Sequence, residues 1–250
     1  MPRLLLATLS ATIVLAWLAI WQSGSSIHAH DVHHSYLYGP TGAAPLFAAT
    51  MFVAGWTAMT VAMMLPTSVP LIAMFAVIVR DRPQRTALAA LVALGYLVVW
   101  TGAGVIAYAL VVVLQAAADN VPWLNANPWA VGSAACVVGG AFQFSTIKYA
   151  CLDRCRSIFG FINEHWSGKR ERRDAFRLGL HHGLFCVGCC WALMLVMITL
   201  GAGHLGWMLA LGTVMALEKN VTWGRAIVRP TGLALVLLGV TIAFRHQQLF

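Results

Sequence analysis

The sequence predicts an all-α, polytopic membrane protein of about seven transmembrane helices with a cytoplasmic N-terminus. Three observations predict it. Hydrophobic residues make up 60% of the chain and charged ones only 10%, too little polar surface to coat a soluble globule of this size. The apolar residues gather in runs near the length that crosses a bilayer, about 20 residues. The basic residues, finally, fall between those runs on one side.

The runs follow in order. Leu4–Trp21 is preceded by a single basic residue, Arg3. It exceeds a usual signal core and no A-x-A site follows, so it reads as an uncleaved anchor. A polar loop, Ser23–Ala44, comes next. Leu46–Val79 is too long for one crossing and is interrupted by Pro66 and Pro70, each lacking a backbone donor. That pattern predicts a helix to Leu65 and a kinked or broken continuation. Thr86–Leu114 is the third span, and Trp123 and Trp129 in and after the next loop are interfacial anchors. Trp129–Ile147 is the fourth, followed by the polar segment Lys148–Arg177. Leu178–Leu200 is the fifth, Leu205–Leu217 the sixth after a tight Gly201–His204 turn, and Thr231–Phe244 the seventh. The chain is thus one transmembrane domain over 1–250, with 1–45 supplying the anchor and an external loop and 46–250 the core.

This topology places fifteen of the sixteen Lys and Arg on the cytoplasmic side, with Arg245 outside. The net charge of +8 therefore answers to membrane orientation, and no nucleic-acid partner is needed to explain it. The segment Ser157–Trp166 with the basic run Lys169–Arg173 is expected to lie on the anionic inner leaflet.

Five of the six cysteines fall in two groups. Cys151 and Cys155 follow the fourth span; Cys186, Cys189 and Cys190 begin the fifth. Both groups are expected at the cytoplasmic end, where thiols stay reduced, so metal ligation or catalysis is favoured over structural disulfides. Cys151 with Cys155 and Cys186 with Cys190 are i, i+4 pairs that can converge, leaving Cys189 to face another helix. His182, Cys186, Cys189 or Cys190, Met194 and Met197 follow at three- or four-residue steps along one stripe. Imidazole, thiol and thioether are donors for soft metal ions. Met59 and Met63, on the face of Trp56 and Pro66, add thioethers near a broken helix, and such breaks tend to line sites. Cys136, alone in mid-span, reads as a small buried hydrophobe. His28, His30, His33 and His34, with Asp31 among them, form an external capture loop for divalent metal. Lys148 and Glu218 close two spans and can pair across helices as supporting charge, or take part in ion passage.

Three blocks carry a resemblance. They are Trp56-x-x-Met59-x-x-x-Met63-Met64-Leu65-Pro66 with Pro70; Gly140-Ala141-Phe142-Gln143 with Lys148 and Cys151-Leu152-x-x-Cys155-Arg156; and Gly179-x-x-x-Gly183-x-x-Cys186-Val187-Gly188-Cys189-Cys190-Trp191-x-Leu193-Met194 with Glu218-Lys219. In these the chain resembles a family of bacterial predicted metal-binding integral membrane proteins, a domain of unknown function. The resemblance implies a helical protein of the bacterial cytoplasmic membrane with a metal site. The chain departs from the family where prolines often precede the lysine and follow the second loop cysteine, here Ser145-Thr146-Ile147 and Ser157-Ile158.

The leading expectation is a membrane protein that handles a soft metal, copper(I) before zinc or mercury(II), in transport or delivery. Its partners are the bilayer, the ion, and a soluble metallochaperone or membrane complex. Its vicinal cysteines are also reminiscent of mercuric-ion transporters. Two other readings compete: a membrane thiol-disulfide oxidoreductase using a C-x-x-C pair, and a structural or assembly subunit in which cysteines seat helices. H-E-x-x-H, P-loop and G-x-S-x-G signatures are missing, which argues against an enzyme.

Overall fold

A computed structural model describes residues 3–25, 45–201 and 205–247. Among these, all regular structure is helical: α1 (Arg3–Ser25), α2 (Pro45–Met63), α3 (Leu65–Ile78), α4 (Arg85–Asn120), α5 (Pro122–Ala126), α6 (Trp129–Phe142), α7 (Thr146–Arg156), α8 (Ile158–His165), α9 (Glu171–Gly201), α10 (Leu205–Asn220) and α11 (Gly224–Gln247). The histidine-rich capture loop, His28 to His34, lies outside the described residues.

Four of these helices are long and apolar enough to cross a membrane: Leu46–Met63, Arg85–Asn120, Glu171–Leu200 and Gly224–Arg245. Counting α6 and α7 as one broken span gives five. The expected seven are thus fewer among the described residues. There the apolar stretch of α1 covers Ala7–Ala19, and α10 has 16 residues, against the ~20 that span hydrocarbon. The fourth run is not straight either, because α6 and α7 meet at 67°. Ser145 starts α7 there, its hydroxyl accepting from the Lys148 N–H at 3.1 Å. The last run gains length, since α11 starts at Gly224 and continues through Pro230.

The break between α2 and α3 follows from Pro66, at the start of α3. Proline has no N–H to give to Ala62 four residues earlier. The Trp17 indole from α1 donates to that carbonyl instead, at 3.0 Å.

α9 is the centre of the bundle. Its apolar window is 56% buried, against 28% or less for the other three spans. It runs alongside α4 in the same direction, because Gly179 faces Val92 and Tyr96 while Gly183 faces Tyr96 and Val99. A Cβ on Gly183 would sit 2.9 Å from the Val99 Cβ, and one on Gly179 would overlap the Val92 carbonyl. Small residues let these backbones touch, the usual basis of helix association in lipid. The α6–α11 pair uses the same device: Ser133 donates to the Gly239 carbonyl at 2.8 Å, and Cys136 packs beside Gly239.

The segment after Cys155 packs one face against the bundle and leaves the other open, with Phe159 exposed. Leu152, Phe161 and Ile162 are buried, and Trp166 meets Phe75 edge-on at 4.9 Å. α7 and α8 therefore each bury one apolar face against the bundle, which removes that face from the surroundings. The basic run beyond them stays exposed, and Arg82 ion-pairs with Glu171 at 2.8 Å.

Candidate metal centre

α9 carries the site. Cys186, Cys189 and Cys190 are its sixteenth to twentieth residues of 31, so they sit near the middle of the helix. All three are 1% exposed. The helix begins seven residues earlier than the apolar run, at Glu171, and the thiols are enclosed by the bundle. All six cysteines are free.

The close α4–α9 contact seats Tyr96 over the site. Its hydroxyl lies 3.0 Å from Cys186 Sγ and donates to the Met64 carbonyl at 3.1 Å. Met64, at the α2–α3 break, is fully buried and turns its side chain inward. Its Sδ is 3.9 Å from Cys190 Sγ.

Into this group comes Lys219, from the last turn of α10. Its Nζ is 2.9 Å from Cys186 Sγ, 3.6 Å from Met64 Sδ and 3.8 Å from Cys190 Sγ. Lys219 is 8% exposed. Three sulfurs from two parts of the chain thus surround one ammonium. Cys189 and Cys190 also donate to the Cys186 carbonyl, at 3.1 and 2.9 Å.

Cys189 reaches Cys155 of α7 as well as Cys186 and Cys190, and so joins α7 to the cluster. Cys151, one turn earlier, fits its sulfur into the notch at Gly188, where a Cβ would lie 2.7 Å from it. It borders the four buried thiols on the other side of α9. His182 is buried between Tyr96 and Phe161, each ring 5.7 Å from its own, and its Nδ1 has no partner. Met59, Met63 and Met194 are buried in the same core. Met63 leans on Gly212 of α10, 2.8 Å from a Cβ placed there, so its neighbour Met64 is the methionine that reaches the thiols. Among the described residues no three His, Cys, Asp or Glu side chains stand ready to hold one metal ion. The ammonium occupies the space between the sulfurs.

A second buried lysine stands behind the first. Lys148 is 0% exposed and pairs with Glu218 at 2.5 Å. Glu218 Oε1 has no partner. Arg156 holds the end of α10 in place, donating to the Glu218 and Thr222 carbonyls at 2.6 and 2.9 Å. A cation on the last carbonyls of a helix is also favoured by its dipole.

Sequence reasoning missed Tyr96, Met64 and Lys219 as members of the site, and Arg156 as its support. Met64, Arg156 and Lys219 stood in the quoted motif blocks. Tyr96 had no local signal beyond being a phenol in an apolar run.

Fold and site define a helical protein of membrane-like apolarity built around an enclosed thiol and thioether cluster. Over residues 53–242, most of its length, the chain matches the family described as PpoB2, copper chaperone, and it belongs to that family. No curated protein and no solved structure matches it.

Proposed function

We propose that this protein resides in the bacterial cytoplasmic membrane, binds copper(I) as cargo and hands it on. Cys186 and Cys190 hold the ion and Met64 is the third sulfur. One observation carries this reading: three soft donors converge on a buried monovalent cation, the Lys219 ammonium. A thioether is a poor partner for ammonium, whereas thiolate and thioether are the donors that select copper(I). The family description points to the same metal.

Charge balance sharpens the choice. A buried ammonium requires one negative partner, which a Cys186 thiolate at 2.9 Å supplies. Copper(I) then replaces the proton of Cys190. The product is an anionic bis-thiolate beside Lys219, and one proton leaves for each ion bound. The cluster stays neutral throughout. A divalent ion on the same two thiolates would leave Lys219 uncompensated, at a cost of several kcal/mol for a buried charge. Zinc and mercury(II) are disfavoured on this ground.

Transfer follows by ligand exchange. Cys189 and Cys155 form a second thiol pair beside the first, and Cys151 lies beyond, so the ion can be passed to a soluble metallochaperone or a membrane complex. The basic loops mark the cytoplasmic end. His28, His30, His33 and His34 would concentrate metal at the opposite side. Met59, Met63 and Met194 would provide weaker thioether stations along the interior.

The test is competition for copper(I) against a chromophoric chelator, under anaerobic conditions. The wild type is expected to bind one ion. The Cys186→Ser, Cys190→Ser double variant should lose more than the ~10- to 100-fold that removing an outer-shell partner costs. Undiminished binding by that variant refutes the proposal, and a reversible dithiol couple without retained metal would put the oxidoreductase reading in its place.

A further inference from the structure

A groove of about 900 Å³ runs between α1, α4 and the start of α9, outside the metal centre. Its walls are apolar, with Leu9, Ala90, Leu94 and Leu97 among them, and Arg172 and Arg173 close one end. We infer that this groove is a binding site for one anionic phospholipid, the acyl chain along α4 and the phosphate on the two guanidinium groups. The inference rests on the membrane placement proposed above, and not on the metal.

Length supports it first. The groove follows α4 from Ala87 to Leu97, about 15 Å at 1.5 Å per residue. That is the depth of one leaflet in a hydrocarbon core of about 30 Å. Charge supports it second. Arg82, Arg154 and Arg225, at the same end of the bundle, each have an acidic partner: Glu171, Glu164 and Asp153. Among the described residues Arg172 and Arg173 make no close salt bridge, Arg173 having only a longer-range attraction to Asp174, and both edge the groove and are exposed. Basic side chains beside an apolar cleft at the inner leaflet are the arrangement that recognises lipid phosphate. Guanidinium also matches phosphate bidentately. A zwitterionic lipid would bring its own ammonium to the same place and gain less. Leu94, 51% exposed, leaves the groove open sideways, as a lipid arriving from the bilayer requires.

The experiment is native mass spectrometry on protein released from mixed phosphatidylglycerol and phosphatidylcholine micelles, with inorganic phosphate added in a separate arm. The wild type should retain one phosphatidylglycerol and discriminate against phosphatidylcholine. Arg172→Gln with Arg173→Gln should lower that retention about tenfold or more, while the lysine pair at the same positions keeps most of it. Leu94→Trp, on an exposed face, should block retention with both arginines intact. Equal retention of the two lipids, or no change in the glutamine variant, overturns the inference. So does displacement of the lipid by inorganic phosphate at equal concentration, or a dimer that Leu94→Trp dissociates. Recovery of the chain in the soluble fraction would refute the membrane placement itself, whereas failure of copper binding leaves the lipid result standing.

Discussion

Two lysines are buried in this molecule, and they are solved differently. Lys148 meets the Glu218 carboxylate at 2.5 Å. Lys219, the very next residue after that carboxylate, receives only sulfur and no acid. Glu218 is spent on the lysine one helix away. A pair such as Lys148–Glu218 closes its own charge and holds α7 against α10. A cation left to thiols can exchange its partner for a proton or a soft ion, so it is the one suited to function. The lesson is that burial of charge does not by itself mark a site. What marks it is a counter-charge that can change.

The largest expected effect tests the structural half of this contrast. Glu218→Gln leaves Lys148 buried without its anion, a loss of about 3–5 kcal/mol, visible as a large fall in thermal stability in detergent. Replacing Lys148 by Met and Glu218 by Leu together should restore most of it, because a buried pair exchanged for packed apolar side chains is often neutral. If the single variant is as stable as wild type, the pair holds nothing together.

Lys219→Met tests the other half. It removes the compensating charge while keeping the volume, so copper(I) affinity should fall about 10- to 100-fold. Mercury(II) affinity, measured on the same samples, should hold or rise. A parallel fall for both ions would mean that Lys219 merely packs. Stability should change little in comparison with Glu218→Gln, since the Cys186 thiolate can take up a proton once the ammonium is gone, which leaves no buried charge without a partner.

The smallest effect separates neighbours. Met64→Leu is nearly isosteric and should cost less than about 1.5 kcal/mol of stability, yet weaken copper(I) by a few-fold through the lost thioether. Met63→Leu should leave affinity unchanged, because Met63 faces Gly212. Equal effects of the two would dissolve the distinction drawn between them.

Much of the site was legible on one helix. The i, i+4 spacing of Cys186 and Cys190 put both on one face, and both do meet the same ammonium. The adjacent Cys189 lies about 100° round the helix from Cys190, and it turns to Cys155. Beyond a single helix the reading failed in specific ways. Met63 stood on the expected stripe with Met59, but Pro66 breaks the helix at Met64, and past a break the periodicity no longer tells which side chain points inward. In Ser157–Trp166 the spacing alone did not tell that Phe161 and Ile162 pack against the bundle while Phe159 stays exposed. The count of spans fell from seven to four or five among the described residues, in part because a run such as Leu205–Leu217 is shorter than a bilayer.

Composition, the order of apolar runs and the sorting of basic residues were thus set by the chain alone, because each is a property of local sequence against a solvent. So were the identity of the donors and the pairing of thiols one turn apart. Which cation they surround was decided only by the tertiary structure. Lys219 lies 33 residues from Cys186 and 155 from Met64, and no local rule links positions so far apart. They meet because Gly95, Gly179 and Gly183 let α4 and α9 touch, a proline breaks α2 from α3, and Arg156 pins the end of α10. Each of those is a packing decision. Together they place one ammonium among three sulfurs.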